Sequence, residues 1–327
     1  MKVSSLDLAL FYYQEENRLC GTMCVHVDDL LFAGTEKFVS SVVTSIMSSL
    51  QVGQTSEKSF KYIGVNIDEK ENMIKLHQKD YTATLNAIEL SKGRQMRRND
   101  MLATQELESY RALVGQLNWL STQTRPDISF SVCELSKVNK SAKVDDILRA
   151  NKVVKIVKDT EVSIVYSKVD SKYTFIECFS DASYGNVTDG GSQGGYLIFI
   201  SDGTSRNLLS WQSRRVRRVV KSTLAAEALA LLDAAKAGVM FAHMMAELLA
   251  QPPPLVKCYV DNRSLVDAVH STKAVEDKHL RIDVAVLRDM LHRGDVSEVS
   301  WVQSSRQLAN ALTKAGASTS QLVSAMC

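Results

Sequence analysis

No stretch of this 327-residue chain is apolar over the length needed to cross a bilayer, and its N-terminus lacks the basic, apolar and small-residue layout of a signal peptide. An intracellular chain that does not engage a membrane is expected. The six cysteines, at 20, 24, 133, 178, 258 and 327, make no C-x-x-C pair, so reduced thiols are the default. Cys20, Cys24 and His26 would share one face of a strand, where packing explains them better than zinc. The six histidines show no metal-ligand spacing, and there is neither an internal repeat nor a low-complexity tract. Proline occurs only at Pro126, which breaks a helical pattern, and at Pro252 to Pro254, which separate a long helix from a strand. With 45% hydrophobic residues, nothing argues for disorder and two or three domains are accommodated.

Against this background, three acidic residues stand where an uncompensated carboxylate is costly. Tyr173 to Ser180 is an aromatic and β-branched run, so Asp181 ends an expected strand before the turn Ala182-Ser183-Tyr184-Gly185. Ser222 and Thr223 offer N-caps to an Ala/Leu-rich helix that carries Glu227 one turn in, on a face shared with Leu224, Ala230 and Leu231. Lys257 to Val260 reads as another strand, followed by Asp261-Asn262 and a helix over Ser264 to Val269. Three oxygen ligands brought together in this way suit Mg²⁺. A strand-end Asp is also a common turn or cap residue, and spacing alone leaves the two readings open.

The formal charge of +2 is nearly balanced, but its distribution is not. From Arg206 to Lys221 there are six basic residues and no acidic one, with Arg214, Arg215, Arg217, Arg218 and Lys221 just before the Glu227 helix. A charge run is ordinarily a solvated face; adjacency to the carboxylates favours a nucleic-acid backbone here, with Trp211 packed nearby. Lys92, Arg94, Arg97 and Arg98 form a second cluster for which the two readings stand level. Upstream, Leu19 to Val27 and Leu30 to Ala33 read as a hairpin displaying Asp28 and Asp29. Phe38 to Leu50 reads as a helix, and Phe60 to Ile67 with Met73 to Leu76 as two strands. Helices follow at Gln78 to Leu90, Glu106 to Ser121, Ile128 to about Val138, and Asp145 to Val157.

Several strings then acquire a joint meaning. Phe179-Ser180-Asp181-Ala182-Ser183, Ser192-Gln193-Gly194-Gly195-Tyr196, Leu209-Ser210-Trp211-Gln212-Ser213, Ser222-Thr223-Leu224-Ala225-Ala226-Glu227 and Tyr259-Val260-Asp261-Asn262 resemble, in order, the ribonuclease H motifs of copia-type LTR retrotransposon Pol polyproteins. His26-Val27-Asp28-Asp29 resembles the catalytic turn of the reverse transcriptase palm. Tyr110 to Leu120 and Thr124-Arg125-Pro126-Asp127-Ile128 resemble the thumb and connection. The resemblance implies an α/β fold: a ribonuclease H-like five-stranded mixed sheet with flanking helices over 169–327. It would be preceded by a truncated palm over 1–77 and a helical thumb/connection over 78–168.

The activity implied is endonucleolytic hydrolysis of the RNA strand of an RNA:DNA hybrid, with two Mg²⁺ ions, or Mn²⁺, about 4 Å apart. Asp181 would bridge them, with Glu227 and Asp261 completing the ligation. Where the family supplies a fourth acid in an Ala-Asp-x-x-Thr-Lys string, this chain has Ala309-Asn310-Ala311-Leu312-Thr313-Lys314. Asn310 brings no negative charge, so impaired or absent turnover is expected. Asp28 and Asp29 lack the palm's third aspartate, and His26 replaces the usual tyrosine. Polymerisation by the chain alone is therefore not expected, unless another polypeptide supplies the missing portion in trans. The alternative is a catalytically inactive nucleic-acid-binding or interaction protein derived from such an element.

Overall fold

The computed structural model describes residues 1–185, 190–273 and 275–327. The first four strands, β1 (Lys2–Val3), β2 (Leu10–Glu15), β3 (Arg18–His26) and β4 (Asp29–Gly34), form an antiparallel sheet in chain order. The apolar-rich β2 was not foreseen from the sequence. Phe38, fully buried, covers this sheet from α1 (Glu36–Phe38), which runs through a π-helical turn (Val39–Val43) into α2 (Thr44–Ser49).

A second sheet contains β5 (Ser59–Tyr62), β6 (Val65–Lys70) and β7 (Met73–His77). The single strand expected over Phe60 to Ile67 is two strands, because Ile63 and Gly64 both take positive φ and fold it into a hairpin. Helices α3 (Lys79–Thr84), α4 (Lys92–Met96), α5 (Thr104–Gln123), α6 (Ser129–Lys137) and α7 (Val144–Asp159) follow. The helix expected over Gln78 to Leu90 stops after Thr84. Leu85 is fully buried among α5, α6 and α7, and the Asn151 amide satisfies both the backbone N–H and the carbonyl of Ile88 at 2.8 Å, which holds that segment extended. After α7, β8 (Ile164–Ser167) returns to pair with β7, so the helical segment is inserted into this sheet.

The third sheet is five-stranded and mixed. Strands β9 (Phe175–Ser183), β10 (Gln193–Ser201) and β11 (Arg206–Arg215) form an antiparallel unit, followed by α8 (Thr223–Leu249). Then come β12 (Leu255–Val260), α9 (Arg263–His270), α10 (Lys278–Arg293), β13 (Glu298–Trp301) and, past a 3₁₀ turn at Leu308–Leu312, α11 (Ser320–Met326). The order is β11-β10-β9-β12-β13, with β12 parallel to both neighbours. Alternation along β9 sends Ile176 and Cys178 to the face covered by α8, α9 and α10, and Phe179 to the face covered by the 3₁₀ turn and α11. Against the sheet, α8 lies so close that a Cβ on Gly238 would stand 2.3 Å from Cys178 Sγ.

The three parts are tied by specific bonds. Asn207 on β11 bonds both backbone groups of Ser167 on β8, and Trp211 Nε1 donates 2.8 Å to the Ser121 carbonyl of α5. At the far end of α8, Gln14 Nε2 donates to the Glu247 and Leu248 carbonyls at 2.9 Å, and Ser4 Oγ donates 2.6 Å to the Glu247 carboxylate. We expect Gly238→Ala to destabilise the chain by about 1–3 kcal/mol through overpacking. Adding Cys178→Ala should recover part of that loss, since the obstructing atom is the thiol. Urea unfolding of both single variants and the double variant measures the coupling, and additive losses would refute the packing account.

Candidate metal centre

Strands β9 and β12 run parallel in register from Phe175/Leu255 to Phe179/Tyr259 and then diverge. The fork between them is bridged by Gln307, buried, whose Nε2 donates to the Ser180 carbonyl at 3.0 Å and the Tyr259 carbonyl at 3.2 Å. Asp181 lies one residue beyond that bridge on one strand and Asp261 two beyond it on the other. Asp181 is not at the strand end expected from sequence but two residues inside it, fully buried, opposite Gly195 of β10.

Glu227 approaches from α8. Ser222 caps that helix, its Oγ accepting from the Ala225 N–H, and Glu227 follows one turn on. The close seat of α8 on the sheet carries its carboxylate to the two aspartates. One ligand oxygen from each of Asp181, Glu227 and Asp261 lies within 4.8 Å of the others, the one such group among the described residues. Glu227 is 4% exposed, and its Oε2 is buried without a hydrogen-bond partner. Asp261 is half-buried at the mouth. An all-oxygen donor set containing an orphaned buried carboxylate oxygen fits a hard divalent cation.

The C-terminal string completes the surroundings. Gly195 admits it: a Cβ there would stand 2.7 Å from Leu312 Cβ and 3.1 Å from Thr313 Cγ2. Thr313 Oγ1 donates to Asp181 Oδ2, and Lys314 Nζ lies 3.1 Å from Asp181 Oδ1. Asn310 does not face the carboxylates with a free amide: Nδ2 donates 2.8 Å to the Ser304 carbonyl, and Oδ1 accepts from Lys314 Nζ at 2.6 Å. Gln307, Thr313 and Lys314 were given no role from sequence. The signals were the match of Thr313-Lys314 to the family's Thr-Lys and the nearness of Gln307 to Asn310 in the chain, neither of which said which side chains reach the acids.

The basic segment divides. Arg214 pairs with Asp233 of α8 at 2.6 Å and Arg218 pairs with Asp283 of α10, so both brace the domain internally. Arg215 is also engaged, Lys221 lends its charge to the nearby Asp277, and Arg217 is exposed. Trp211 is turned to the opposite face of the sheet, against α5. Of the second cluster, Arg94 is bound to Glu106 and Asp100. Asp28 stands exposed in the β3–β4 turn and Asp29 exposed at the start of β4, beside Val27 at a positive φ that is strained for a β-branched residue. No third acid, histidine or cysteine joins them in a metal-sized cluster among the described residues.

Burial pushes the Glu227 carboxyl up to about 9, the charges of Asp181 and Asp261 add to the rise, and Lys314 opposes it. Asp181 is raised as well, first by burial, with Lys314 and Thr313 holding it down. Because the folded-state value for Glu227 exceeds the ordinary 4.5, the folded chain holds more protons than the unfolded one between 4.5 and about 9. Stability without metal therefore falls as pH rises through that window. We expect Glu227→Gln to flatten this slope and raise Tm near pH 8, and saturating Mg²⁺ to raise the parent's Tm more near pH 8 than near pH 6. Thermal melts across the pH range would test this, and an unchanged slope in the variant would overturn it.

No family model matches the chain. It is 23% identical over 325 residues to the Retrovirus-related Pol polyprotein from transposon RE2 of Arabidopsis thaliana, covering 94% of this chain and 22% of that polyprotein. It is 25% identical over 211 residues to the transposon Ty5-1 protein YCL074W of Saccharomyces cerevisiae, covering 61% of this chain and 67% of that protein. The chain thus spans about a fifth of the plant polyprotein's length. Among solved structures, a foamy viral protease-reverse transcriptase in complex with double-stranded DNA superposes over 86% of this chain and 46% of its own. The TM-score is 0.50 at 12% identity. Ribonuclease H1 of the archaeon Halobacterium salinarum covers 42% of this chain and 93% of its own, with a TM-score of 0.33 at 16% identity. In sequence over nearly its whole length, and in a fold that ends in a ribonuclease H-like sheet, the chain resembles the Pol polyproteins of retrotransposons.

Proposed function

We propose that this chain is a reverse transcriptase/ribonuclease H fragment of a retroelement and hydrolyses the RNA strand of RNA:DNA hybrids at a divalent-metal centre held by Asp181, Glu227 and Asp261. The observation that carries this reading is the convergence of the three carboxylates, with Glu227 Oε2 buried and unpartnered. Mg²⁺, or Mn²⁺, would supply Lewis-acid polarisation of the scissile phosphate and an activated water. Asp181 sits deepest and is oriented by Thr313, Glu227 closes the site from the helix, and half-buried Asp261 faces the opening. Arg217 and Lys221 are the members of the basic segment available to a phosphate backbone, while Arg214 and Arg218 position the segment. Recognition of the RNA strand would rest on its 2′-hydroxyls and backbone shape.

Asn310 adds no charge, so the three acids face the charge of the metal without a fourth, and turnover is reduced. One observation favours the second reading, an inactive hybrid-binding protein: Asp181 carries an ammonium and Asn310 is committed to holding it. In a cleavage assay on a labelled hybrid with Mg²⁺ or Mn²⁺, we expect slow cleavage that Asp181→Asn abolishes and Asn310→Asp raises by on the order of tenfold or more. Hybrid binding without cleavage in the parent would establish the second reading. A parent that cleaves as fast as Asn310→Asp would refute the impairment.

For polymerisation, Asp28 and Asp29 would need a further carboxylate from outside the described residues, since none joins them there. We expect no primer extension by the purified chain, and measurable extension would overturn this.

A further inference from the structure

Lys314 stands four residues beyond Asn310, and both are drawn into the acidic site. Its Nζ lies 3.1 Å from Asp181 Oδ1 and 2.6 Å from Asn310 Oδ1. The orientation of the Asn310 amide is fixed from its other end, where Nδ2 donates 2.8 Å to the Ser304 carbonyl. That bond points Oδ1, the acceptor, at the ammonium. With Thr313 on Oδ2 and Lys314 on Oδ1, both oxygens of Asp181 face donors, while Glu227 Oε2 has none. The positive charge in the site is therefore placed on one carboxylate by a two-residue device, and that carboxylate is one that a divalent ion shared by the three acids must also use.

We propose that Lys314, latched by the Asn310 amide oxygen, is a tethered counter-ion that a divalent cation must displace from Asp181, so that Asn310 governs metal affinity as the latch and not as a ligand. The inference rests on the metal-centre reading of Asp181, Glu227 and Asp261. It explains how a buried triad is held together without metal. A neutral amide is suited to this part, because its dipole holds the ammonium while leaving its charge to Asp181. The two roles for Asn310 predict opposite signs. A ligand, when removed, weakens metal binding; a latch, when removed, frees the competitor and tightens it.

Calorimetric titration of Mn²⁺ into the full chain separates them without reference to turnover. Lys314→Met should tighten binding on the order of tenfold, the size of effect that neighbours of a metal ligand exert. Asn310→Ala should tighten it by less, and in the Lys314→Met background it should add nothing. Unchanged or weaker binding in Lys314→Met, or weaker binding in Asn310→Ala, overturns the latch. If Asp181→Asn abolishes binding while Lys314→Met changes nothing, the latch fails and the metal centre stands. If Asp181→Asn binds as the parent does, or if neither the parent nor Lys314→Met binds, both fail. An acylation experiment on the parent chain covers variants that do not fold: Mn²⁺ should raise the rate at which an amine-acylating reagent modifies Lys314, read by peptide mass mapping. An unaltered rate in saturating Mn²⁺ overturns displacement.

Discussion

Mutual repulsion among three carboxylates in a site largely closed to water is the constraint around which the C-terminal part of this chain is built. Desolvation and like charge act in the same direction, so the arrangement survives only where each acid is held by covalent and packing geometry that cannot relax. Parallel pairing of β9 and β12 brings two acids to one fork, and α8 delivers the third. Small residues make that delivery close: Gly238 lets the helix reach the sheet, and Gly195 lets the C-terminal string reach Asp181. Gln307 ties the fork just short of the acids, where unpaired carbonyls would otherwise let the strands part.

The basic residues show how the same charge type serves two ends. Arg218 and Asp283, like Arg214 and Asp233, join the segment after β11 and the end of β11 to helices α10 and α8 respectively. These pairs spend cationic charge on internal struts, and what remains outward is narrower than the run of six suggests. Arg206 follows the same pattern, being held by Glu177 over the rings of Phe179 and Phe199 on the face away from α8. Counting lysines and arginines along a segment thus overstates the surface offered to a polyanion whenever acids from distant helices return to meet them.

Much of the C-terminal domain was legible because its signals are local. Aromatic and β-branched runs mark β9 and β12, a serine cap and an alanine-rich run mark α8, and the order of strings resembling retroelement motifs supplied the sheet. The strand end assigned to Asp181 was too early by two residues, since the local turn residues Ala182 and Ser183 are held in β form by pairing with β10. What was not legible depends on distant partners. The extended path after Thr84 is imposed by Asn151, and β8 has meaning only through its pairing with β7. The parts of Thr313 and Lys314 follow from contacts with Asp181 more than a hundred residues away in the chain, apart from the tie between Asn310 and Lys314, and that of Gln307 from Ser180 and Tyr259, 127 and 48 residues away.

Helix α8 is also a ruler. Glu227 near its beginning and Glu247 near its end are separated by twenty residues, or about 30 Å of rigid rise, and the second is gripped by Ser4 and Gln14 of the N-terminal sheet. The two ends of the molecule are thereby indexed to each other in both distance and rotation. Inserting or deleting one residue between them would turn one grip by roughly 100° relative to the other. The span of this helix is thus set by two attachments at once, and its length can vary only where both attachments vary with it.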